Sequence, residues 1–183
     1  MKVKKNLLVP VFVFTFFSFS CIYAQGIKIG TNVKIACPID FGEKQLDYYS
    51  LSPVVELKLA LPLYKNFGMD FSADFLWGSF RPELFDTRTV GNYQFYSFFA
   101  GAFYCINVGE TFCIIPEIDL GYSYAKFHLN SERDFPDSLF CLQAAVSFEK
   151  KINQNWALNA NTSFGYYDVY CPLAFGVGAA YNF

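Results

Sequence analysis

The C-terminal stretch CPLAFGVGAAYNF, residues 171–183, decides the fold. From Leu173 to Phe183 every odd position is apolar, while every even position between them is small or polar. A period of two is that of a β-strand whose two faces meet different surroundings. Phe183 ends this strand, although chain ends usually fray into water unless they are tied down. The pattern therefore predicts a closing strand of a β-barrel, which pairs with the first strand and turns its apolar face to lipid.

The composition fits a chain with an apolar exterior. Hydrophobic residues make up 54% of the 183 residues and aromatic residues 21%, whereas charged residues make up only 16%. An ordinary soluble domain carries about a quarter charged residues. Beyond the first residues, no apolar run reaches the ~20 residues that a membrane-spanning helix needs. The apolar residues are therefore expected to alternate along strands, and a net charge of −2 gives no basic surface for nucleic acid.

Residues 1–24 are typical of a secretory signal peptide. A basic start precedes the apolar core LLVPVFVFTFF, and the small residue Ala24 precedes Gln25. The sequence thus predicts cleavage after Ala24 and a mature domain of residues 25–183. Two alternatives stay open: lipidation at Cys21, or retention of the segment as an uncleaved anchor. The basic residues are Lys2, Lys4 and Lys5.

Seven earlier stretches repeat the alternation of residues 171–183, so the sequence predicts about eight strands. They are residues 26–37, 51–63, 67–79, 92–106, 111–126, 138–150 and 154–167. Residues 92–106 are apolar on both faces, and we assign their even positions to the lipid side. Pro116 lacks a backbone N–H, which predicts a bulge or local irregularity within its strand.

The connections between these strands alternate in length. Short, turn-rich links occupy residues 64–66, 107–110 and 152–154. Longer polar segments occupy residues 38–50, 81–91 and 127–137, and the last link, 168–170, is short. Transmembrane barrels have short turns on the periplasmic side and longer loops outside, and a sheet in lipid has to close to pair its backbone. The predicted fold is all-β: a closed antiparallel up-and-down transmembrane β-barrel of about eight strands.

Aromatic residues gather near both predicted ends of the strands, where transmembrane barrels form girdles at the membrane interfaces. At the turn-rich end they are Tyr64, Phe67, Phe148, Trp156, Tyr181 and Phe183. At the opposite end they are Trp77, Phe80, Tyr124, Tyr166 and Tyr167.

The leader ending in Ala24-Gln25, the alternating strands and the terminal pattern together resemble the small outer-membrane β-barrel domain family of Gram-negative bacteria. This group contains the eight-stranded, outer-membrane-protein-X-like barrels. The resemblance covers nearly all of residues 25–183 and implies a place in the outer-membrane lipid after secretion with a cleaved signal peptide. It also implies that the barrel-assembly machinery reads the last strand during biogenesis. The residues of that signal are Phe175, Val177, Ala179, Tyr181 and Phe183.

Charged residues fall on the predicted inner face of the strands. They are Lys28, Lys34, Glu56, Lys58, Asp70, Asp74, Glu117, Asp119 and Glu149. An eight-stranded barrel has an interior that side chains nearly fill, so we expect a salt-bridged polar network with trapped water. The alternative is a narrow, acidic, cation-preferring path, since glycines on the same face could leave room for one.

Two cysteine pairs are candidates for disulfides in an oxidising compartment. Cys37 ends the first strand and Cys171 begins the last, and these strands are neighbours in a closed barrel. Cys105 and Cys113 flank the turn at residues 108–110 symmetrically. The competing interpretation is that all are small apolar residues with free thiols. A CxxC metal spacing does not occur in the sequence, so neither a metal nor a cofactor is expected.

His128 is the sole histidine, and it lies in the segment 127–137 with several polar residues. A serine–histidine–acid set on a barrel rim would indicate a lipid A-modifying hydrolase or acyltransferase. A solvated loop histidine explains the same residues, and the loop motifs of lipid A enzymes are not matched. The sequence therefore predicts no enzymatic activity. The polar residues beside His128 are Ser131, Glu132, Asp134 and Asp137.

The leading functional hypothesis is an integral outer-membrane barrel with a structural or surface-interaction role. Its long segments mix charge with aromatic residues and are candidates to bind an extracellular ligand, whose identity the sequence does not give. The second hypothesis is a narrow passive pore for small solutes or cations, and the third is the lipid A-modifying enzyme. A soluble or lipid-anchored barrel is the structural rival, but it would have to expose the charged, glycine-rich face.

Overall fold

The computed structural model describes residues 26–39, 50–79, 91–128, 134–167 and 171–183. Nine strands form one sheet: β1 Lys28–Pro38, β2 Ser52–Tyr64, β3 Phe67–Ser79, β4 Asn92–Tyr104, β5 Ile106–Val108, β6 Phe112–His128, β7 Asp134–Lys151, β8 Trp156–Tyr167 and β9 Pro172–Asn182. The described residues include no helix long and apolar enough to cross a membrane. The predicted signal peptide, residues 1–24, lies outside the described residues.

The sheet closes into a barrel with eight strand positions around its circumference, because β4 and β5 share one position. Except for β4 and β5, each strand pairs antiparallel with its neighbour along the chain, and β1 pairs with β9. β4 pairs with β6, and the short β5 continues β4 along the same partner after an interruption at Cys105. The predicted closed, all-antiparallel barrel of about eight strands is confirmed.

The seam between β1 and β9 depends on glycines of the last strand. Its register runs from Lys28 opposite Asn182 to Pro38 opposite Pro172. A Cβ placed on Gly178 would overlap the carbonyl oxygen of Thr31, which belongs to the backbone of β1. Only a residue without a side chain allows the two backbones to approach at this position.

Apolar side chains cover the outside of the ring. Val33 and Val177, partners at the middle of the seam, are 59% and 66% exposed. A soluble barrel would bury such residues, whereas a lipid-facing wall displays them. On β4 the even positions Tyr96 and Phe98 are exposed while Phe95 and Phe99 are buried, which confirms the phase predicted for this strand.

Pro116 coincides with a gap in the pairing of β6 with β4 and β5, but not in its pairing with β7. β6 runs through Pro116 without a shift in its register with β7, where Pro116 lies opposite Val146. On the other side, the ladder to β4 stops after the Phe103–Glu117 pair and resumes on β5 at Ile106. The missing N–H of Pro116 explains this gap, because the proline cannot donate to the strand beside it. The predicted irregularity is thus a ladder gap, not a bulge in β6.

Exposed aromatic residues ring the turn-rich end, hereafter the turn end. Trp156 packs edge-on against Tyr181 at 5.1 Å between ring centroids, and Tyr181 packs against Phe183 at 4.8 Å. At the opposite end, the loop end, Trp77, Tyr124 and Tyr166 are exposed as predicted. Tyr167 was wrongly assigned to that girdle: the strand's alternation turns it inward, where it is 5% exposed. Phe80 lies outside the described residues.

The predicted loop at residues 127–137 is mostly strand. β6 and β7 remain paired as far as His128 opposite Asp134, so only residues 129–133 lie outside the described hairpin. Polar sequence hid this extension, because a hairpin can continue in water beyond the apolar band by backbone pairing alone. The turn-end links are short, as predicted: they occupy residues 65–66, 109–111 and 152–155.

Candidate functional site: the barrel interior

The interior of the barrel is arranged in three layers along its axis. A cavity lies at the turn end, a layer of charged side chains occupies the middle, and a cluster of aromatic and aliphatic side chains fills the loop end. Alternation produces all three, because every second residue of each strand points inward. The layers differ because the inward residues change in kind from one end of each strand to the other.

The turn-end cavity has a volume of about 330 Å3. Lys28 on β1 spans the cavity to Glu149 on β7, with 2.6 Å between the lysine Nζ and the nearer carboxylate oxygen. Cys113 lies beside this pair, with its Sγ 3.9 Å from Glu149 Oε1. Lys58 and Glu117 belong to the cavity wall as well, so the cavity reaches the charged middle layer.

One half of the charged layer is centred on Lys58. Its Nζ lies 2.6 Å from Asp70 Oδ2 and also contacts Glu117. The other oxygen of Glu117 accepts a hydrogen bond from the Ser147 hydroxyl at 3.2 Å, and Asn161 donates to that hydroxyl at 2.8 Å. A hydrogen-bonded chain thus crosses from β2 to β8 and fixes the Glu117 carboxylate from two sides.

The other half of the charged layer is centred on Lys34. This lysine is paired with Glu56, and both side chains are 1% exposed. Its Nζ also lies 4.0 Å from the Asp74 carboxylate. A lysine buried to this degree is stable in the charged form only while its carboxylates surround it.

The structure places all nine predicted lumen residues inside the barrel. Eight of them join the ion pairs described above, and Asp119 is the exception. Asp119 is 2% exposed, and within the described part of the chain neither of its carboxylate oxygens accepts a hydrogen bond. Three lysines face six acids across the set, so the network carries an excess of negative charge.

A cluster of aromatic rings, the plug, fills the loop end of the lumen. Phe95 packs edge-on against Tyr93 and Tyr167, at 5.8 Å between centroids in both cases, and Phe99 packs against Tyr167 at 6.4 Å. The Tyr93 hydroxyl bonds to the Ser52 hydroxyl and donates to the Ser50 carbonyl at 3.1 Å. Non-aromatic apolar residues complete the cluster: Ala36, Val54, Leu76, Ala125, Leu139, Cys141 and Ala174.

Sequence reasoning missed the plug, although a signal for it was present. Residues 92–106 are apolar on both faces, and a strand that is apolar on both faces contacts lipid outside and an apolar core inside. Once the even residues are assigned to lipid, Tyr93, Phe95 and Phe99 have to point inward. The expectation of a polar interior therefore holds for the middle layer and fails at the loop end.

The five described cysteines form no disulfide. Cys37 lies opposite Leu173, and the Cys171 carbonyl accepts a hydrogen bond from Ile39 at 2.9 Å. Cys37 and Cys171 are thus offset by two residues across the seam, and the predicted disulfide between them is not formed. Cys113 lies opposite Asn107 rather than Cys105, so the second predicted pair is also out of register.

His128 ends β6 and lies opposite Asn92 on β4 and Asp134 on β7. Ser131, the serine of the serine–histidine–acid hypothesis, and Glu132, one of its candidate acids, lie outside the described residues. The structure therefore places His128 at the loop-end rim.

An apolar outer wall, a charged interior and a closed antiparallel ring together define a transmembrane β-barrel of the eight-stranded class. The chain matches no family model and no curated protein. Its fold is nevertheless shared by solved outer-membrane proteins.

Three of these structures illustrate the similarity. One is Ail, the attachment invasion locus protein of Yersinia pestis, which was solved in complex with the heparin analogue sucrose octasulfate. It is 17% identical to this chain with a TM-score of 0.57, and the match covers 86% of this chain and 97% of Ail. Neisserial surface protein A is 13% identical with a TM-score of 0.64, covering 87% and 99%. OprG from Pseudomonas aeruginosa is 13% identical with a TM-score of 0.60, covering 88% and 97%. The resemblance to small outer-membrane barrels is confirmed at the level of the fold.

Proposed function

We propose that this chain is an integral outer-membrane protein of a Gram-negative bacterium, delivered with a cleaved signal peptide, whose role is non-enzymatic contact at the cell surface. The plug carries this proposal. Tyr93, Phe95 and Phe99 are at most 4% exposed and fill the loop end of the lumen, so a solute path through the axis is obstructed there. If a membrane-embedded barrel does not conduct solutes through its lumen, the surfaces left to contact other molecules in water are its two rims.

The loop-end rim offers a sheet edge for contact. Within the described residues, positions 134–140 of β7 pair with β6 alone, because pairing with β8 begins at Cys141. A strand edge that is not paired within its own sheet is a surface to which an extended partner segment can add. The strand connections that the sequence predicts as outer links lie outside the described residues.

The charge of those connections favours one class of ligand over another. Segments 40–49, 80–90, 129–133 and 168–170 contain four basic and seven acidic residues. Binding of a polyanion such as a sulfated polysaccharide needs a basic surface. The ligand chemistry in the Ail complex therefore does not transfer to this chain, and a protein partner with basic or mixed charge fits the rim better.

Epitope tags test the location and orientation together. A tag inserted within residues 80–90 should bind antibody on intact Gram-negative cells that express the full chain. A matched tag in the turn at Gly109, which has a φ of 79° and open space around it, should bind only after permeabilisation. Equal access at both positions, or recovery of the chain in the soluble fraction, would contradict the proposal. Mass spectrometry should show that the membrane form of the protein begins at Gln25.

Conductance in planar bilayers tests the closed lumen. The refolded chain should give no steady channel, because the plug occupies the axis at the loop end of the lumen. A general porin reconstituted in the same bilayer provides the positive control, and heat-modifiable gel migration verifies that the chain is folded. A reproducible open state would support the narrow passive pore instead.

A further inference from the structure

Two acids face each other across a glycine in the middle layer of the lumen. Asp70 on β3 lies opposite Gly101 on β4, and Gly101 lies opposite Asp119 on β6. All three positions point inward. A Cβ on Gly101 would overlap a carboxylate oxygen of Asp119, so the glycine leaves the space that this carboxylate occupies. The row therefore brings two like charges together, where a side chain on the middle strand would have separated them.

A third acid completes the group. Glu117 lies two residues before Asp119 on the same face of β6, and ligand oxygens of Asp70, Glu117 and Asp119 lie within 4.8 Å of one another. The three residues are between 2% and 5% exposed. Lys58 contacts Asp70 and Glu117, and it is the cation of this half of the layer. Three carboxylates and one ammonium leave two negative charges without a counter-ion.

Asp119 shows where the missing positive charge belongs. It is the one member of the charged network without an ion pair, and no described residue donates a hydrogen bond to either of its oxygens. A buried carboxylate is stable only when hydrogen bonds or a cation compensate its lost hydration. Its oxygens lie within 4.8 Å of oxygens of Asp70 and Glu117. Carboxylates are acceptors, so these neighbours compensate Asp119 only when a cation or a shared proton lies between them.

We propose that Asp70, Glu117 and Asp119 bind a divalent cation of the Mg2+ or Ca2+ class inside the barrel. All three ligands are carboxylates, and oxygen-only sites select hard cations over Zn2+ or Cu2+. The ion's two positive charges balance the two uncompensated negative ones. The turn-end cavity, whose wall includes Lys58 and Glu117, provides the approach and room for coordinating water. The site is independent of the surface role proposed above.

Titration calorimetry on the refolded mature chain in detergent micelles tests the site. After chelator treatment, CaCl2 and MgCl2 are titrated separately, and at least one should bind saturably with one ion per chain. Asp119→Asn keeps the shape of the side chain and removes its charge, so it should weaken binding by more than about tenfold. Asp74→Asn makes the same chemical change in the Lys34 half of the layer and should leave the affinity unchanged.

The controls keep every outcome decisive. Heat-modifiable migration reports the folded fraction of each variant, and Glu117→Gln replaces Asp119→Asn if the latter does not refold. Failure of the wild-type chain to bind either ion overturns the proposal, as does equal binding by wild type and Asp119→Asn. If the wild type binds neither ion and Asp119→Asn unfolds at a higher temperature, a proton rather than a metal neutralises Asp119.

Discussion

Replacing Lys34 with methionine is expected to destabilise the barrel by about 3–5 kcal/mol. Methionine has nearly the shape of lysine, so the cavity term is small and the effect is electrostatic. Lys34 and Glu56 are each 1% exposed, and Asp74 lies 4.0 Å from the Lys34 ammonium. Removing the one cation leaves two buried carboxylates facing each other in a narrow lumen. Urea unfolding in lipid vesicles, followed by tryptophan fluorescence, measures the change.

Two further variants separate charge from general damage. Lys150→Met makes the same substitution at an exposed position near the turn end and should shift the free energy of unfolding by no more than about 0.5 kcal/mol. Lys34→Met combined with Glu56→Gln removes both members of the pair and should recover part of the loss, because replacing a whole buried pair is far less costly than breaking it. A Lys34→Met chain as stable as wild type would contradict the network.

Replacing Val177 with lysine is expected to cost about 2–4 kcal/mol of unfolding free energy in lipid. Val177 is 66% exposed at the middle of β9 and lies opposite Val33, so its side chain projects from the centre of the outer wall. On a water-exposed surface the same change would be nearly neutral, within about 0.5 kcal/mol. The substitution therefore measures whether lipid or water covers this wall.

A lysine at Val108 supplies the depth control. Val108 is 51% exposed on β5, next to the turn at residues 109–111. The cost of a charge falls to about 0–1 kcal/mol near the membrane interface, where the side chain can reach water. Refolding into vesicles with urea titration should give the larger effect at residue 177. Equal small effects at both positions would indicate a soluble barrel.

Alternation made most of the wall predictable. Residues 67–79 match β3 at both ends, and Leu57, Ile118 and Val177 were assigned outward from parity alone. A slip of one residue would have reversed every side chain of a strand, so one face with several unambiguous residues is enough to fix the phase. The inward position of the nine charged residues follows from the same parity.

Contacts between strands were less predictable, because they depend on register and tilt. Parity places Lys28 inside, but only the stagger of a closed barrel brings it to Glu149, which lies on β7. The same stagger displaces Cys37 from Cys171 and aligns Asp70, Gly101 and Asp119 in one row. Cysteine spacing could not reveal this row, because its members are acids and a glycine that lie on three different strands and not in one short sequence motif.

The pairing of β1 with β9 has a kinetic consequence. Lys28 and Asn182 are ladder partners, although nearly the whole chain separates them. Contacts of such high contact order form slowly, because the loop-closure entropy is lost before any bond compensates it. Until the two ends meet, the alternating apolar faces stay exposed and prone to aggregation. The rate at which the first strand pairs with the last thus determines how long these apolar faces remain exposed.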